Sequence, residues 1–209
     1  MKFSKPLDAI LNTETKTRIL RFLCKTNAEW NGSQIAKEIA VTPAAAHAAL
    51  SALRREGVLE LRNMGKTHVY SLKKSSFLVS SMLKPLFAKE DKILDTIIGM
   101  IKRKILSSKT KKEIITVALF GSVSVRQEKP ESDIDIAVVV ESANAKAAIE
   151  RLFEEIDAKV SKEFGNIISP YINTRAEFKL KHKNGLPVIK NILKANNLIY
   201  GEKPENLLV

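Results

Sequence analysis

Between Glu14 and Lys25 the apolar residues Ile19, Leu20, Phe22 and Leu23 fall on one helical stripe, with Arg18, Arg21 and Lys25 outside it. Gly32-Ser33 opens a second, short helix, with Ser33 as the expected N-cap and Ile35, Ala36 and Ile39 as its buried face. Thr42 caps a third helix that runs to Glu56. Pro43 takes its first position, where a missing N–H costs nothing, and Leu50 and Leu53 are spaced for a core. Gly57 stands just past its end, the usual place for a helix stop. Val58–Leu61 and His68–Leu72 then alternate around Arg62-Asn63-Met64-Gly65-Lys66-Thr67, which predicts a hairpin with a basic tip.

From Phe77 to Ile105 apolar residues recur at three- and four-residue steps, giving one amphipathic helix or two, since Pro85 starts or kinks one. Packing on the same chain covers such a stripe; so does a helix pairing between subunits, which would set two copies at a fixed spacing. Ile114–Phe120 is an unbroken, partly β-branched apolar run and reads as a buried strand ending at Gly121-Ser122. A second strand begins around Asp133-Ile134-Asp135-Ile136 and continues through Val140. A helix over 143–164, a strand over 166–173, helices over 174–183 and 186–197, and a final apolar segment at 198–202 complete the pattern. The expected fold class is α/β (α+β) in two domains. Residues 1–75 and 113–209 form the domains, and 76–112 form a helical connector with a possible dimerisation helix.

Charge sharpens the division. The 209 residues carry 35 Lys+Arg against 23 Asp+Glu, a formal charge of +12. Residues 1–75 hold 13 and 6, residues 76–112 hold 9 and 3, and residues 113–209 hold 13 and 14. The basicity thus lies in the first half and points to a polyanionic partner there. The run Lys102-Arg103-Lys104 with Lys109, Lys111 and Lys112 reads as a solvated helix end or as an extension of a DNA-facing surface. One cysteine, Cys24, excludes an internal disulfide framework and a cysteine zinc cage. No segment of membrane-spanning length is free of charge, so a cytoplasmic protein with no membrane partner is expected. Cys24, Trp30 and His182 read as packing or surface.

Three helices and a basic hairpin, with "LRREGVLE" at their junction, resemble the winged helix-turn-helix of bacterial and archaeal regulators over residues 10–75. The resemblance implies that the Pro43–Glu56 helix enters a major groove of duplex DNA, N-terminal end first. Thr42, Ala44, Ala45, His47, Ala48 and Ser51 would face the bases, and Arg54, Arg55, Arg62, Lys66 and His68 the phosphates. The helix is poor in bidentate base readers, so direct readout is expected to be thin. A winged helix used only for protein contact is the alternative.

In the second half, alternate residues of a strand share a face, so Asp133 and Asp135 point together while Ile134 and Ile136 point inward. Paired carboxylates repel unless a cation lies between them, and Mg²⁺ (or Mn²⁺) with oxygen ligands suits the place. Gly121 lets a phosphate approach the backbone and Ser122 adds a hydroxyl donor. "LFGSVSVRQEKPESDIDIAVVV" (119–140) resembles the signature of polymerase-β-like nucleotidyltransferases, and more narrowly the minimal nucleotidyltransferases. The resemblance implies a nucleotidyl transfer, with ATP as the donor, to an acceptor hydroxyl. Gly121 and Ser122 match the triphosphate-binding pair, and Asp133 and Asp135 the metal ligands.

Three departures from the family pattern stand out. Where members carry Ala-Arg-Gly, this chain has Ser124-Val125-Arg126, so the arginine position is apolar and Arg126 replaces a glycine. Arg126 is the candidate substitute for the missing positive charge. The further carboxylate expected on the 166–173 strand is absent, its polar-face candidates being Ser169, Tyr171 and Asn173. Glu177, just beyond, either reaches in or serves as a helix N-terminal acid. The family also implies one acceptor, a partner toxin silenced by adenylylation, with the winged helix repressing a shared operon. Two competing classes remain: a homodimeric regulator whose second domain senses a nucleotide or is purely structural, and an RNA-modifying enzyme.

Overall fold

The computed structural model describes residues 4–65 and 67–208. Lys66, named above for the hairpin tip, lies outside them. The chain forms two compact units that divide between Ile93 and Leu94, within the segment expected to be a connector. Among the described residues no helix is long and apolar enough to cross a membrane.

The first unit contains α1 (Leu7–Ile10), α2 (Glu14–Thr26), α3 (Gly32–Glu38) and α4 (Pro43–Arg55), followed by the hairpin β2 (Leu59–Met64) and β3 (Thr67–Leu72). A two-residue strand, β1 (Trp30–Asn31), pairs antiparallel with β3 to give the sheet order β1-β3-β2. This is a winged helix-turn-helix. The Ser33 cap is corrected: Asn31 caps α3, accepting from the Gln34 N–H at 2.8 Å while the Gln34 side chain returns to the Asn31 N–H. A reciprocal capping box satisfies two donors at once and so outcompetes a serine two residues on.

Thr42 caps α4 as expected, its hydroxyl accepting from the Ala45 N–H. Replacing Thr42 with Ala costs about 1 kcal/mol of stability in this unit, read as a lowered urea midpoint. Ile19, Leu20, Leu23, Ile35, Leu50 and Leu53 form its core, fully buried. The chain then packs a helical segment back on this core through Leu78, Val79, Leu83 and Phe87. Residues Val79–Leu83 make a π-helical turn that leads into α5 (Lys84–Glu90). The wider turn accommodates Pro85, which has no N–H to donate. Arg21 fastens α5 to α2 through two bonds to Glu90 (2.6 and 2.9 Å), and its guanidinium lies 5.6 Å from the centre of the Phe87 ring.

The second unit is a four-stranded mixed sheet, β6-β5-β4-β7, made of β4 (Ile114–Leu119), β5 (Ile134–Val140), β6 (Ile168–Thr174) and β7 (Asn197–Gly201). β4 runs antiparallel to β5 and β7, and β6 runs parallel to β5. A parallel pair requires a crossover, supplied by α8 (Ala143–Phe164). α8 and α6 (Ile93–Ser107) cover one face through Ile97, Ile101, Ile105, Ile149, Phe153 and Val160. α9 (Arg175–Lys183), α10 (Pro187–Lys194) and a 3-10 turn at Pro204–Leu208 cover the other, around Phe178, Ile189 and Leu207. The edge strand β6 is protected against further pairing: the Ile168 N–H donates to Asp157 (2.7 Å), the Thr174 N–H donates to Glu177 (2.8 Å), and Pro170 has no N–H.

Candidate functional sites

β4 and β5 lie antiparallel, with Leu119 opposite Ile136, so the end of β4 meets the start of β5. The Phe120 N–H donates to the Asp135 carbonyl at 3.0 Å. The chain then turns at Gly121 into α7 (Gly121–Ser124), a single turn held by the Ser124 hydroxyl donating to the Gly121 carbonyl at 2.7 Å. Gly121 has φ +74, and a Cβ built on it would lie 2.1 Å from the Asp135 Oδ2. The Gly121-Ser122 turn and Asp135 are therefore adjacent, with no room for a methyl group between Gly121 and the Asp135 carboxylate.

Ile134 and Ile136 are buried on the α8 face, and Asp135 is half-buried on the opposite one. Asp133, just before β5, is exposed. Burial, and then the neighbouring Asp133 carboxylate, push Asp135 above the ordinary carboxylate range. A bound divalent cation would reverse both penalties, so these two acids and the small turn beside them fit one. Ser122 is half-buried on α7. Arg126 is exposed and left-handed, with φ +56, a conformation that costs a non-glycine residue about 1 kcal/mol or more. The backbone itself thus favours the glycine expected there.

The missing acid is located by the strand register. Ser169 of β6 pairs with Asp135, and Tyr171 and Asn173 follow on the same face. Lys181 occupies the latter two, donating to Asn173 Oδ1 and lying 4.8 Å from the centre of the Tyr171 ring. Glu177 does not reach the site. It completes the capping box of α9, accepting from the N–H of the N-cap Thr174, and pairs with Lys146. Lys146 and that N–H hold its carboxyl below the ordinary range. Glu177 also sits beyond Thr174, five residues along β6 from Ser169, or about 16 Å of strand. Among the described residues no group of three or more His, Cys, Asp or Glu is placed to hold a metal.

In the winged helix, Thr42, Ala44, Ala45, His47, Ala48 and Ser51 are all exposed, while Ala46, Ala49, Leu50 and Leu53 face the core. Arg54, Arg55 and His68 are exposed too. Arg62 donates to Glu29 at 2.9 Å, so its charge is partly neutralised. His47 and His68 line one open cavity with Asn31, Ser33 and Tyr70, which joins α4 to the wing. β1, which brings Asn31 there, is too short to leave a periodic signal in the sequence. Cys24 packs beside the core, and burial pushes its thiol up to about 11, which keeps it protonated at neutral pH. Trp30 lies edge-on to Phe22, with ring centres 5.0 Å apart.

Residues 103–205 match the family model described as polymerase beta, nucleotidyltransferase. Among solved structures, reduced HlyU from Vibrio cholerae is 25% identical, covers 40% of this chain and 84% of its own, and superposes with a TM-score of 0.36. The homodimeric winged helix-turn-helix DNA-binding domain Mb0332 from Mycobacterium bovis is 22% identical, with coverage of 43% and 79% and a TM-score of 0.35. A structure described as a toxin-antitoxin with AMP-PNP is 17% identical, with coverage of 51% and 80% and a TM-score of 0.31. No protein of curated function matches the chain.

Proposed function

We propose, from the match of residues 103–205 to the polymerase beta nucleotidyltransferase family model, that this protein is a cytoplasmic DNA-binding regulator that also transfers a nucleotide. The second unit moves AMP from ATP to a hydroxyl of a partner protein, a toxin from a neighbouring gene. One observation carries the reading: Gly121 and Asp135 are packed so closely that a triphosphate tail on the turn meets the Asp133–Asp135 pair. Asp133 and Asp135 would hold Mg²⁺ or Mn²⁺, which supplies charge neutralisation at the phosphates. The Gly121-Ser122 backbone and the Ser122 hydroxyl orient the tail. Arg126, with no ion pair among the described residues, adds positive charge on the same loop.

The winged helix supports binding to duplex DNA through the exposed face of α4, with Arg54 and Arg55 on phosphates and His47 and Ser51 towards the bases. Phe77, Met82, Leu86 and Ile93 are exposed in the helical segment that closes the first unit, 38–71% accessible. That apolar surface supports a homodimer, which places two recognition helices on one duplex.

A second reading is favoured by Ser169, which stands beside Asp135 where an acid is expected. With no third carboxylate to take the acceptor's proton, the domain would bind the nucleotide and report it to the winged helix without turnover. Incubation with labelled ATP, Mg²⁺ and the neighbouring gene product separates the two. Label on the partner establishes transfer. Mg²⁺-dependent binding without label establishes a sensor, and no binding at all removes both.

A further inference from the structure

The division at Ile93 relocates much of the positive charge. Lys102, Arg103, Lys104, Lys109, Lys111 and Lys112 belong to the nucleotidyltransferase unit, on α6 and the 3-10 turn Lys109–Glu113. Residues 94–209 carry 19 Lys+Arg against 15 Asp+Glu, and six of those cations lie within eleven residues.

Tertiary packing adds two more. Arg151, Glu155 and Lys159 are four residues apart on α8 and so share one face. That face and α6 bound two adjoining cavities, of about 380 and 240 Å³, both lined by Lys104, Ser107 and Glu155. Arg103 and Lys159 line the first and Arg151 the second. Among the described residues Glu155 is the only acid in either lining, and Lys104 neutralises it at 2.6 Å. Arg103, Arg151 and Lys159 are exposed and form no ion pair among the described residues. The acids Glu150, Glu154 and Asp157 lie on another flank of α8, in a separate cavity along β6. Arg151 and Lys159 thus lie on a different side of α8 from Glu150, Glu154 and Asp157.

This groove is not part of the nucleotide site. α6 and α8 cover the sheet face to which Ile134 and Ile136 point, opposite Asp135. From Arg151 to Lys159 the cations span about 12 Å of helix. A single small phosphate would meet only some of them, whereas a nucleic-acid strand presents a charge every ~3.4 Å. The surface is concave, which suits a projecting sugar-phosphate ridge better than the plane of a bilayer.

We propose that the α6–α8 groove binds the phosphate backbone of a nucleic acid, as a second contact separate from the winged helix. The contact is electrostatic and reads no sequence.

The test uses the full chain with Arg103→Glu/Arg151→Glu/Lys159→Glu, the same triple change to Gln, and a separate Arg54→Ala/Arg55→Ala variant. Fluorescence anisotropy follows binding to a duplex of about 30 base pairs and to an RNA stem-loop, between about 50 and 200 mM salt. Each lost phosphate contact makes the log–log salt slope shallower by about 0.9 on duplex DNA, so the triple variants lose about 2 to 3. An effect on the duplex identifies DNA as the source of the phosphates, and one confined to the stem-loop identifies RNA.

The Arg54/Arg55 change tests the winged helix independently, because the groove contribution persists in it. Slopes equal to wild type for both probes, in either folded triple variant, overturn the proposal. So does a loss seen only in a parallel co-sedimentation with phosphatidylserine vesicles. The Gln variant decides if the Glu variant does not fold.

Discussion

Asp135→Asn abolishes Mg²⁺-dependent ATP binding and lowers any nucleotidyl transfer by about 10²- to 10³-fold, the usual loss when one electrostatic partner of a reacting phosphate is removed. The fold survives, because the replaced carboxylate is one that the metal-free protein holds at a cost: burial and Asp133 both disfavour its charge. A carboxyl whose folded pKa is raised binds its proton more tightly in the folded state, so its contribution is most favourable below the unfolded value. That contribution is lost as pH rises from about 3.8 through the raised value. Without metal, wild type therefore carries a component of stability that falls across that window and is absent in Asp135→Asn, seen as the difference between the two melting profiles. Divalent cations compete with the same proton, so their affinity rises with pH there. Calorimetry with ATP and Mg²⁺, and thermal melting at acid and neutral pH with and without Mg²⁺, read both effects. A variant that binds ATP–Mg²⁺ like wild type removes Asp135 from the site.

Gly121→Ala produces the second large loss, by a different route. A φ of +74 costs an alanine about 1 kcal/mol or more. The new methyl must also displace Asp135, whose Oδ2, Cγ and Cβ would lie 2.1, 3.0 and 3.2 Å away. Rotation about χ1 moves Oδ2 and Cγ away but takes the carboxylate out of its place beside the turn, and the remaining Cβ contact needs a shift of a few tenths of an ångström. We expect about 2 kcal/mol less stability in the second unit, nucleotide binding reduced beyond detection, and DNA binding by the winged helix retained. A urea melt and an ATP titration check it. Affinity within twofold of wild type would show that the close approach of turn and carboxylate is not used.

The site was readable in the sequence as far as local periodicity reaches. Gly121, Ser122, Asp133 and Asp135 lie within fifteen residues, and a strand–turn–strand reading places both acids on one face. Their actual contact was not legible, because the β4–β5 register decides it. The absent acid was visible as a missing residue type, but only parallel pairing with β6 identified Ser169 as the residue beside Asp135. The alternative role for Glu177 failed for a similar reason. Its capping box with Thr174 is a local signal, and its ion pair with Lys146 of α8 is a tertiary one. Asn31 overtook Ser33 as the cap of α3 because β1 pairs with β3 and fixes where the helix begins.

What the sequence determined by itself was the kind and order of the main elements and where the candidate residues lie along them. Those follow from side-chain period, caps and short motifs, all encoded within a few residues. What only the tertiary structure decided was where the middle segment belongs and which charges share a surface. An amphipathic stripe specifies that it must be covered, but not by what. Val79, Leu83 and Phe87 found the winged-helix core, and Ile97, Ile101 and Ile105 found the sheet. The break at Ile93 thus carried the basic run Lys102–Lys112 into the second unit, where Arg103 and Lys104 share cavities with Lys159 and Arg151, some fifty residues further along the chain.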